Sequence, residues 1–171
     1  DGVEVVEHDH WNPAILELSA EERIARAIEL ERITRSLDPR VTGVRTAVWG
    51  DGSGEVAYAS TNGIERTYRG TSCSVGVQPL ATDGDETQIG YAGDASRDPD
   101  ALDLHEVARD AVDRATRLLG ATKPASAKLT ILLEPRLAAS LLGIVSGMLD
   151  GEAVLKGRSP FAQRRGEQVA S

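Results

Sequence analysis

A chain of 171 residues, 40% of them hydrophobic, is long enough to bury one core. The formal net charge of −8, with no stripe of Lys and Arg, argues against direct binding to nucleic acid. No apolar run approaches the roughly 20 residues that a membrane span needs, and the single cysteine, Cys73, cannot form an internal disulfide, which fits a cytoplasmic protein. The first residue is Asp1 rather than Met, so we expect the chain to be an excerpt of a longer protein.

The N-terminal part is predicted to be a connector, residues 1–18, followed by a helix. Ser19 and Glu22 have the spacing of a capping box, which predicts a helix from about Ala20 to Ser36. Helical periodicity separates a charged outer face, which includes Arg26, from an apolar inner face. The inner face is predicted to consist of Ile24, Ala27, Ile28 and Ile33.

From position 41 the hydrophobic period changes to two, which indicates an antiparallel β-meander. Gly70 and Gly76 in its longest strand predict a bulge or a close approach of another part of the backbone. In chain order the prediction is a strand from Val41 with Val44, Thr46 and Val48 on one side, a turn at Asp51–Gly54, a strand at Glu55–Ser60, a turn at Asn62–Gly63, a strand from Ile64 to Val77, a turn at Asp83–Asp85 and a strand at Thr87–Tyr91.

The C-terminal part combines two helices with a short apolar run. Apolar residues at helical spacing predict a helix from about Ala101 to Leu119, which Gly120 ends. The apolar run 128–133 is typical of a buried strand. A further helix is predicted from about Pro135 to Leu149, because proline at the first helical position has no N–H to lose.

These elements predict an α+β fold in which an antiparallel β-meander is flanked by amphipathic helices. Residues 1–171 are expected to form one domain. Its predicted parts are the connector 1–18, a helix, meander and helix at 19–119, and a strand, helix and loop at 128–171.

Two histidine patterns invite a metal-site hypothesis, and both are weak. His105 precedes Glu106, but Arg109 and Asp110 stand where a second histidine would have to follow, so a structural or solvated histidine is favoured. His8 and His10 lie on one face if their segment is extended, yet two ligands do not make a site. The favoured interpretation of that segment is a polar connector.

An ordered set of short blocks follows the apolar run 128–133. An Ala- and Leu-rich helix contains Leu141-Leu142-Gly143-Ile144-Val145-Ser146-Gly147-Met148. A loop with the sequence Gly157-Arg158-Ser159-Pro160-Phe161 comes next, and Gly166-Glu167-Gln168-Val169-Ala170-Ser171 comes last. This order resembles the TldD/TldE family, whose TldE branch is also called PmbA and described as a modulator of DNA gyrase.

The TldD branch of that family carries a zinc-binding segment of the form LLHEAxGHxLExD, followed by a G-x-S-x-F turn and a terminal GExVAS run. Aligned with it, Gly143 stands at the first His, Ile144 at the Glu and Met148 at the second His, whereas Gly147 matches the motif glycine. Zinc needs nitrogen, sulfur or carboxylate ligands, and its bound water needs a general base. Gly and Ile supply neither, and a Met thioether is a poor ligand for a hydrolytic site.

The resemblance therefore implies a TldE-like subunit of a TldD/TldE-type zinc peptidase that degrades or processes small or unfolded peptides. It implies no metal in this chain and zinc in a TldD-like partner. Arg158 and Ser159 could bind the substrate through a guanidinium group and loop donors. Two alternatives remain open at this point: a stand-alone peptide-binding or scaffold protein, and a peptidase that uses ligands outside this segment.

Overall fold

The structure, a computed structural model, describes residues 9–169. The chain divides into two compact units, the first ending at Lys123 and the second beginning at Pro124, whereas the sequence predicts one domain. The first unit contains helices α1 (Ala14–Glu17), α2 (Ala20–Ser36) and α3 (Leu104–Thr116), and strands β1 (Val41–Ala59), β2 (Glu65–Asp83), β3 (Glu86–Ile89) and β4 (Ala92–Ser96). The second unit contains α4 (Pro135–Met148) and α5 (Gly151–Leu155).

The first unit is built on one antiparallel sheet. The two 19-residue strands β1 and β2 pair from Val41 opposite Ala81 to Ala59 opposite Glu65, and β2 also pairs with β3 and β4 at different levels. Alternate residues of β2 point to opposite faces, so one face carries the buried Cys73, Val75 and Val77. Helices α2 and α3 cover that face, which confirms the predicted α+β class.

The core between sheet and helices is aliphatic and closely packed. Leu30 and Ile33 of α2 and Ala108 and Ala111 of α3 are buried against it. The small side chains of α3 allow the chain between β3 and β4 to approach the helix closely. A Cβ added at Gly90 would lie 2.0 Å from the carbonyl oxygen of Ala111, so this position can only be glycine without a backbone shift.

The helix ends follow the predicted local chemistry. Ser19 and Glu22 form the reciprocal capping box at α2, as predicted. The third helix is shorter than predicted, because the Asp103 carboxylate accepts from the backbone N–H groups of His105 and Glu106 and so sets the start of α3 at Leu104. Gly120 has a φ of +74°, which fits its predicted role in ending the helical region.

The predicted turn at Asp51–Gly54 is wrong, because these residues lie within β1. Each of them pairs with a residue of β2, from Asp51 opposite Cys73 to Gly54 opposite Gly70. Asp51 is held inward by hydrogen bonds rather than by a turn. The first two predicted strands are therefore one, and the hairpin turns only at Asn62–Gly63, where Gly63 has a φ of +78°.

The predicted side for Val44 and Val48 is also wrong. The pairing register shifts between Val44 and Thr46, and such an irregularity reverses the facing of the residues beyond it. Val44 packs against the core, whereas Val48 is 48% exposed on the opposite face. Gly70 and Gly76 sit in regular register, so neither forms a bulge. The predicted close approach of another backbone segment is present at Gly70, where a Cβ would lie 3.6 Å from the His10 carbonyl oxygen, whereas a Cβ at Gly76 would meet the side chains of Tyr91 and Val48.

The inner face of α2 differs from the predicted one. Ile24 and Ile28 are 59% and 61% exposed, while Leu30 is fully buried. Compared with the predicted orientation, α2 is rotated about its own axis. Arg26, predicted to point outward, lies over the Trp49 ring with its guanidinium carbon 4.9 Å from the ring centre. A guanidinium group can cover an aromatic face and still reach solvent, so a charged residue occupies the rim of the core.

The predicted strand at 128–133 is absent from the second unit. Residues 121–134 have no regular secondary structure, and Leu129, Ile131 and Leu132 are each at least 71% exposed. A strand exists only with a hydrogen-bonded neighbour, and no described residue pairs with this run. The helix predicted after it is present as α4, and the fourth predicted strand corresponds to β3, followed by the further strand β4.

Candidate functional site

The helix with the altered zinc motif is α4. It begins with Pro135 at its first position, and the Glu134 carbonyl accepts the first helical hydrogen bond from Ala138 at 2.9 Å. Ile144 and Met148 are four residues apart and share one side of the helix. They are 57% and 36% exposed. A Cβ built at Gly143 or Gly147 would meet no atom within 4 Å.

The side chains of α4 are chemically unsuited to zinc hydrolysis. Its sequence, PRLAASLLGIVSGM, contains neither a carboxylate nor an imidazole, and its one ionisable residue is Arg136. A catalytic zinc site takes three protein ligands, commonly His and carboxylate, and leaves one position for water. The side chains of α4 therefore supply neither the usual ligands of such a zinc site nor its general base.

The loop after α5 is tied to the end of α4 through Ser159. The Ser159 hydroxyl donates to the Met148 carbonyl and accepts from the Phe161 backbone N–H at 3.0 Å. Ser159 is only 8% exposed. This contact joins one of the altered motif positions to one of the predicted substrate-binding residues. The hydroxyl acts here as a bridge that fixes the loop.

Arg158 lies beside that bridge on an exposed turn. Its backbone N–H donates to the Ala153 carbonyl of α5 at 2.9 Å, and Gly157 has a φ of +66°. This is the left-handed conformation that commonly ends a helix and that glycine adopts without strain. The turn thus holds the Arg158 backbone in place and leaves its side chain in solvent.

The histidines of residues 9–169 do not form a metal cluster. No three or more His, Cys, Asp or Glu side chains in that range are grouped so that they could hold a metal ion. His105 is exposed on α3, as the prediction of a structural or solvated residue required. His10 forms a parallel backbone bridge with Gly70 of β2. His8, the other histidine of that pattern, lies outside the described residues.

The sequence interpretation missed a polar cluster that joins α2 to the sheet. The Asp51 carboxylate accepts from Arg23 Nε and from Trp49 Nε1, both at 2.7 Å. Arg26 donates to the Pro99 carbonyl and to Asp100 while it covers Trp49. The hydrogen bond from Arg23, helped by that from Trp49, lowers the pKa of Asp51 below its ordinary value of 3.8.

This cluster holds its own charges rather than presenting them to a ligand. The Asp51 side chain is 12% exposed and that of Arg23 33% exposed. The Asp51 acceptor oxygen already receives two donors. The sequence does not indicate this cluster, because the glycines around Asp51 are typical of a turn.

In the described residues no helix has the length and hydrophobicity to cross a membrane.

Solved structures share the fold at low sequence identity. A proposed modulator of a DNA gyrase from Thermotoga maritima MSB8 matches with a TM-score of 0.89 at 24% identity, over 99% of this chain and 39% of its own. A proposed modulator of DNA gyrase from Bacteroides thetaiotaomicron VPI-5482 matches with a TM-score of 0.86 at 22% identity, over 99% and 39%. TldE from Thermococcus kodakarensis matches with a TM-score of 0.72 at 17% identity, over 97% and 38%.

The chain thus spans about two fifths of the length of each of these proteins. No curated protein sequence matches it. Two family models do match, with a boundary close to the division between the two compact units. The PmbA/TldA metallopeptidase central domain covers residues 13–119, and the PmbA/TldA metallopeptidase C-terminal domain covers residues 126–171. The chain therefore belongs to the PmbA/TldA metallopeptidase family.

Proposed function

We propose that this protein is the TldE-like, metal-free subunit of a TldD/TldE-type zinc peptidase acting on small or unfolded peptides. The observation that carries the proposal is the side-chain content of α4. At the three positions where the TldD branch has its two His and its Glu, this chain has Gly143, Met148 and Ile144. The zinc and the general base are then supplied by a TldD-like partner.

The neighbouring loop supports a role in handling the substrate. Arg158 is an exposed cation on a fixed turn, and a guanidinium group can pair with the carboxylate of a peptide. Ser159 contributes indirectly, since its hydroxyl is engaged by Met148 and Phe161. We therefore assign peptide binding to Arg158 and positioning of the loop to Ser159.

The decisive experiment measures zinc content and peptidase activity of the full-length protein, alone and mixed with a TldD-like subunit from the same organism. We expect little zinc and no activity in the isolated protein, and activity on unfolded peptides in the mixture. Replacing the motif Glu of the partner by Gln should abolish that activity. Stoichiometric zinc in the isolated protein would contradict the proposal and favour a peptidase with ligands elsewhere in its chain.

A loop variant tests the substrate role within the active mixture. Arg158→Ala should raise KM several-fold with little change in kcat, because it removes a contact made equally in the ground and transition states. Arg164→Ala is the matched control, since Arg164 already pairs with Glu167 at 2.8 Å. Inactivity of every mixture, together with peptide binding by this chain alone, would identify a scaffold instead.

A further inference from the structure

Strand β4 forms one edge of the sheet. It pairs with β2 on one side, from Ala92 opposite Val77 to Ser96 opposite Cys73. Within residues 9–169 no strand pairs with its other side. The free side of an edge strand presents backbone donors and acceptors to which a further strand can bind. An extended chain can therefore add to the sheet at β4.

The backbone N–H of Ala95 faces this free edge. It donates to the carboxylate of the preceding residue, Asp94, at 2.8 Å. Successive residues of a strand direct their N–H groups to opposite edges, so the N–H of Asp94 faces β2. The Asp94 carboxylate thus accepts a bond that the carbonyl group of an added strand would otherwise accept.

A first cavity lies beside β4 on the sheet face opposite the helices. Its volume is about 400 Å³, and its floor is made of small residues that include Gly76 and Gly93. Val48 and Tyr91 line it and are 48% and 45% exposed. A Cβ built at Gly76 would lie 3.4 Å from the Tyr91 ring, so the ring lies over this floor. The outer cavity is suited to an apolar side chain.

A second cavity, of about 270 Å³, lies on the helix side of the same strand. Four carboxylates line it, those of Asp94, Asp103, Glu106 and Asp110. Asp103 caps α3, and Asp110 pairs with Arg114. The exposed Glu106 carboxylate has no hydrogen-bond or ion-pair partner within residues 9–169. The helix-side cavity is suited to a cation.

The two cavities lie on opposite faces of one strand edge, and successive side chains of an extended peptide also point to opposite faces. We propose that β4 binds an extended peptide in which apolar and basic residues alternate. The apolar side chains enter the outer cavity, and the lysine or arginine side chains enter the helix-side cavity. The inference rests on the proposed function in taking an unfolded peptide as the ligand, and it names the class of peptide.

The register of β4 assigns each position of the peptide to a cavity. Gly93 is opposite Gly76, and it faces the outer cavity. A peptide side chain level with Gly93 therefore lies beside Tyr91. The next side chain is level with Asp94 and points to the helix side. In this mode main-chain hydrogen bonds supply affinity, and pockets for alternate side chains supply specificity.

Charge and length both favour such a peptide. The chain has a net charge of −8, and the helix-side cavity concentrates four of its carboxylates. When a peptide carbonyl takes over the Ala95 N–H, the Asp94 carboxylate is released to pair with a cation of the peptide. Added salt should weaken this attraction. The strand is five residues long, so it matches a short extended segment.

Fluorescence anisotropy with the isolated full-length protein tests the inference. The probe is a labelled synthetic heptapeptide, Lys-Leu-Lys-Leu-Lys-Leu-Lys. We expect it to bind at least about ten-fold more tightly than Glu-Leu-Glu-Leu-Glu-Leu-Glu, which reverses the charge. It should also bind more tightly than Lys-Lys-Leu-Leu-Leu-Lys-Lys, which has the same composition without alternation.

Two variants separate the edge from the charge. Ala95→Pro removes the N–H at the free edge, where proline is tolerated because the ladder with β2 is untouched, and should weaken binding at least about ten-fold. Glu106→Gln should weaken it about three- to five-fold. Glu21→Gln is the matched control, because it makes the same change in charge in the first turn of another helix, α2. It should leave the affinity unchanged.

Circular dichroism spectra verify that each variant is folded. If Ala95→Pro does not fold, Asp94→Asn replaces it, since it keeps an oxygen for the Ala95 N–H and should weaken binding about three-fold. Equal affinity for the three peptides overturns the inference. Unchanged affinity in the edge variant or in Glu106→Gln overturns it too, as does an equal loss with Glu21→Gln.

The same assay separates this inference from the peptidase proposal. No partner subunit is present, so binding of the alternating probe is measured without hydrolysis. An inactive mixture with a TldD-like subunit would contradict the peptidase proposal and leave peptide binding at β4 intact. Activity in that mixture without binding at β4 would do the reverse.

Discussion

Replacing Asp51 by Asn tests whether the partly buried polar cluster of Arg23, Trp49 and Asp51 fastens α2 to the sheet. The substitution keeps the size of the side chain but removes the charge that receives hydrogen bonds from Arg23 and Trp49, both at 2.7 Å. Hydrogen bonds to a charged group contribute about 1.5–3 kcal/mol, and the partial exposure of Arg23 reduces its share. We expect a loss of about 2 kcal/mol in the free energy of unfolding at neutral pH.

The pH dependence identifies the charge as the cause. The pKa of Asp51 is lowered in the folded protein by its bond with Arg23. Its stabilising effect is therefore complete above the unfolded value, about 3.9, and is lost as the pH falls through the lower folded value. Urea denaturation of wild type and Asp51→Asn should show a difference that shrinks below about pH 4. A difference that stays constant from neutral pH to about pH 3 would refute this reasoning.

A control for the same experiment is Asp100→Asn. Asp100 also pairs with an arginine, Arg26, at 2.8 Å, but its side chain is 82% exposed. Exposed ion pairs contribute little because solvent screens the charges and both side chains lose freedom. We expect a change close to zero for Asp100→Asn. A loss equal to that of Asp51→Asn would mean that burial does not distinguish the two carboxylates.

Two packing predictions follow from the same unit, each checked by urea denaturation. Gly90→Ala should lower the free energy of unfolding by about 3 kcal/mol, because the new Cβ would lie 2.0 Å from a backbone oxygen of α3. Gly54→Ala is the control and should change the free energy of unfolding little, because the space around Gly54 is open. Leu30→Ala should cost about 2–5 kcal/mol, whereas Ile28→Ala should stay within about 0.5 kcal/mol, since Leu30 is fully buried and Ile28 is 61% exposed. Equal losses of unfolding free energy for the Leu30 and Ile28 variants would support the inner face of α2 that the sequence predicts.

Features that depend on residues close together in the sequence could be predicted from the sequence alone. The capping box at Ser19 and the turn at Asn62–Gly63 depend on residues within four positions of each other, and both are present. The α+β class followed from the change in hydrophobic period near position 41 and the return to a helical period near position 101. Local propensity and pattern agree with the final fold at these places.

Features that depend on contacts between residues far apart in the sequence could not be predicted from it. Asp51 and its glycines are typical of a turn, but pairing with β2 and the bond from Arg23 keep them in a strand. The apolar run 128–133 has the composition of a strand, yet a strand also needs a neighbour. In the site, the positions of Gly143 and Met148 came from the order of motifs, whereas the Ser159 bridge to Met148 joins residues 11 apart and has no sequence signature.

The replacements in α4 change what the helix can do as well as what it lacks. Glycines at 143 and 147 lie on one side at a spacing that leaves the backbone open to close approach. Ile144 and Met148 put large apolar groups on the adjacent side, where the TldD pattern has a Glu and a His. A helix whose side chains are mostly apolar is suited to burial rather than to holding a charged metal. The three changes are mutually consistent, since each replaces a polar side chain of the TldD pattern by glycine or an apolar residue, and this agreement supports the proposal that hydrolysis takes place on another chain.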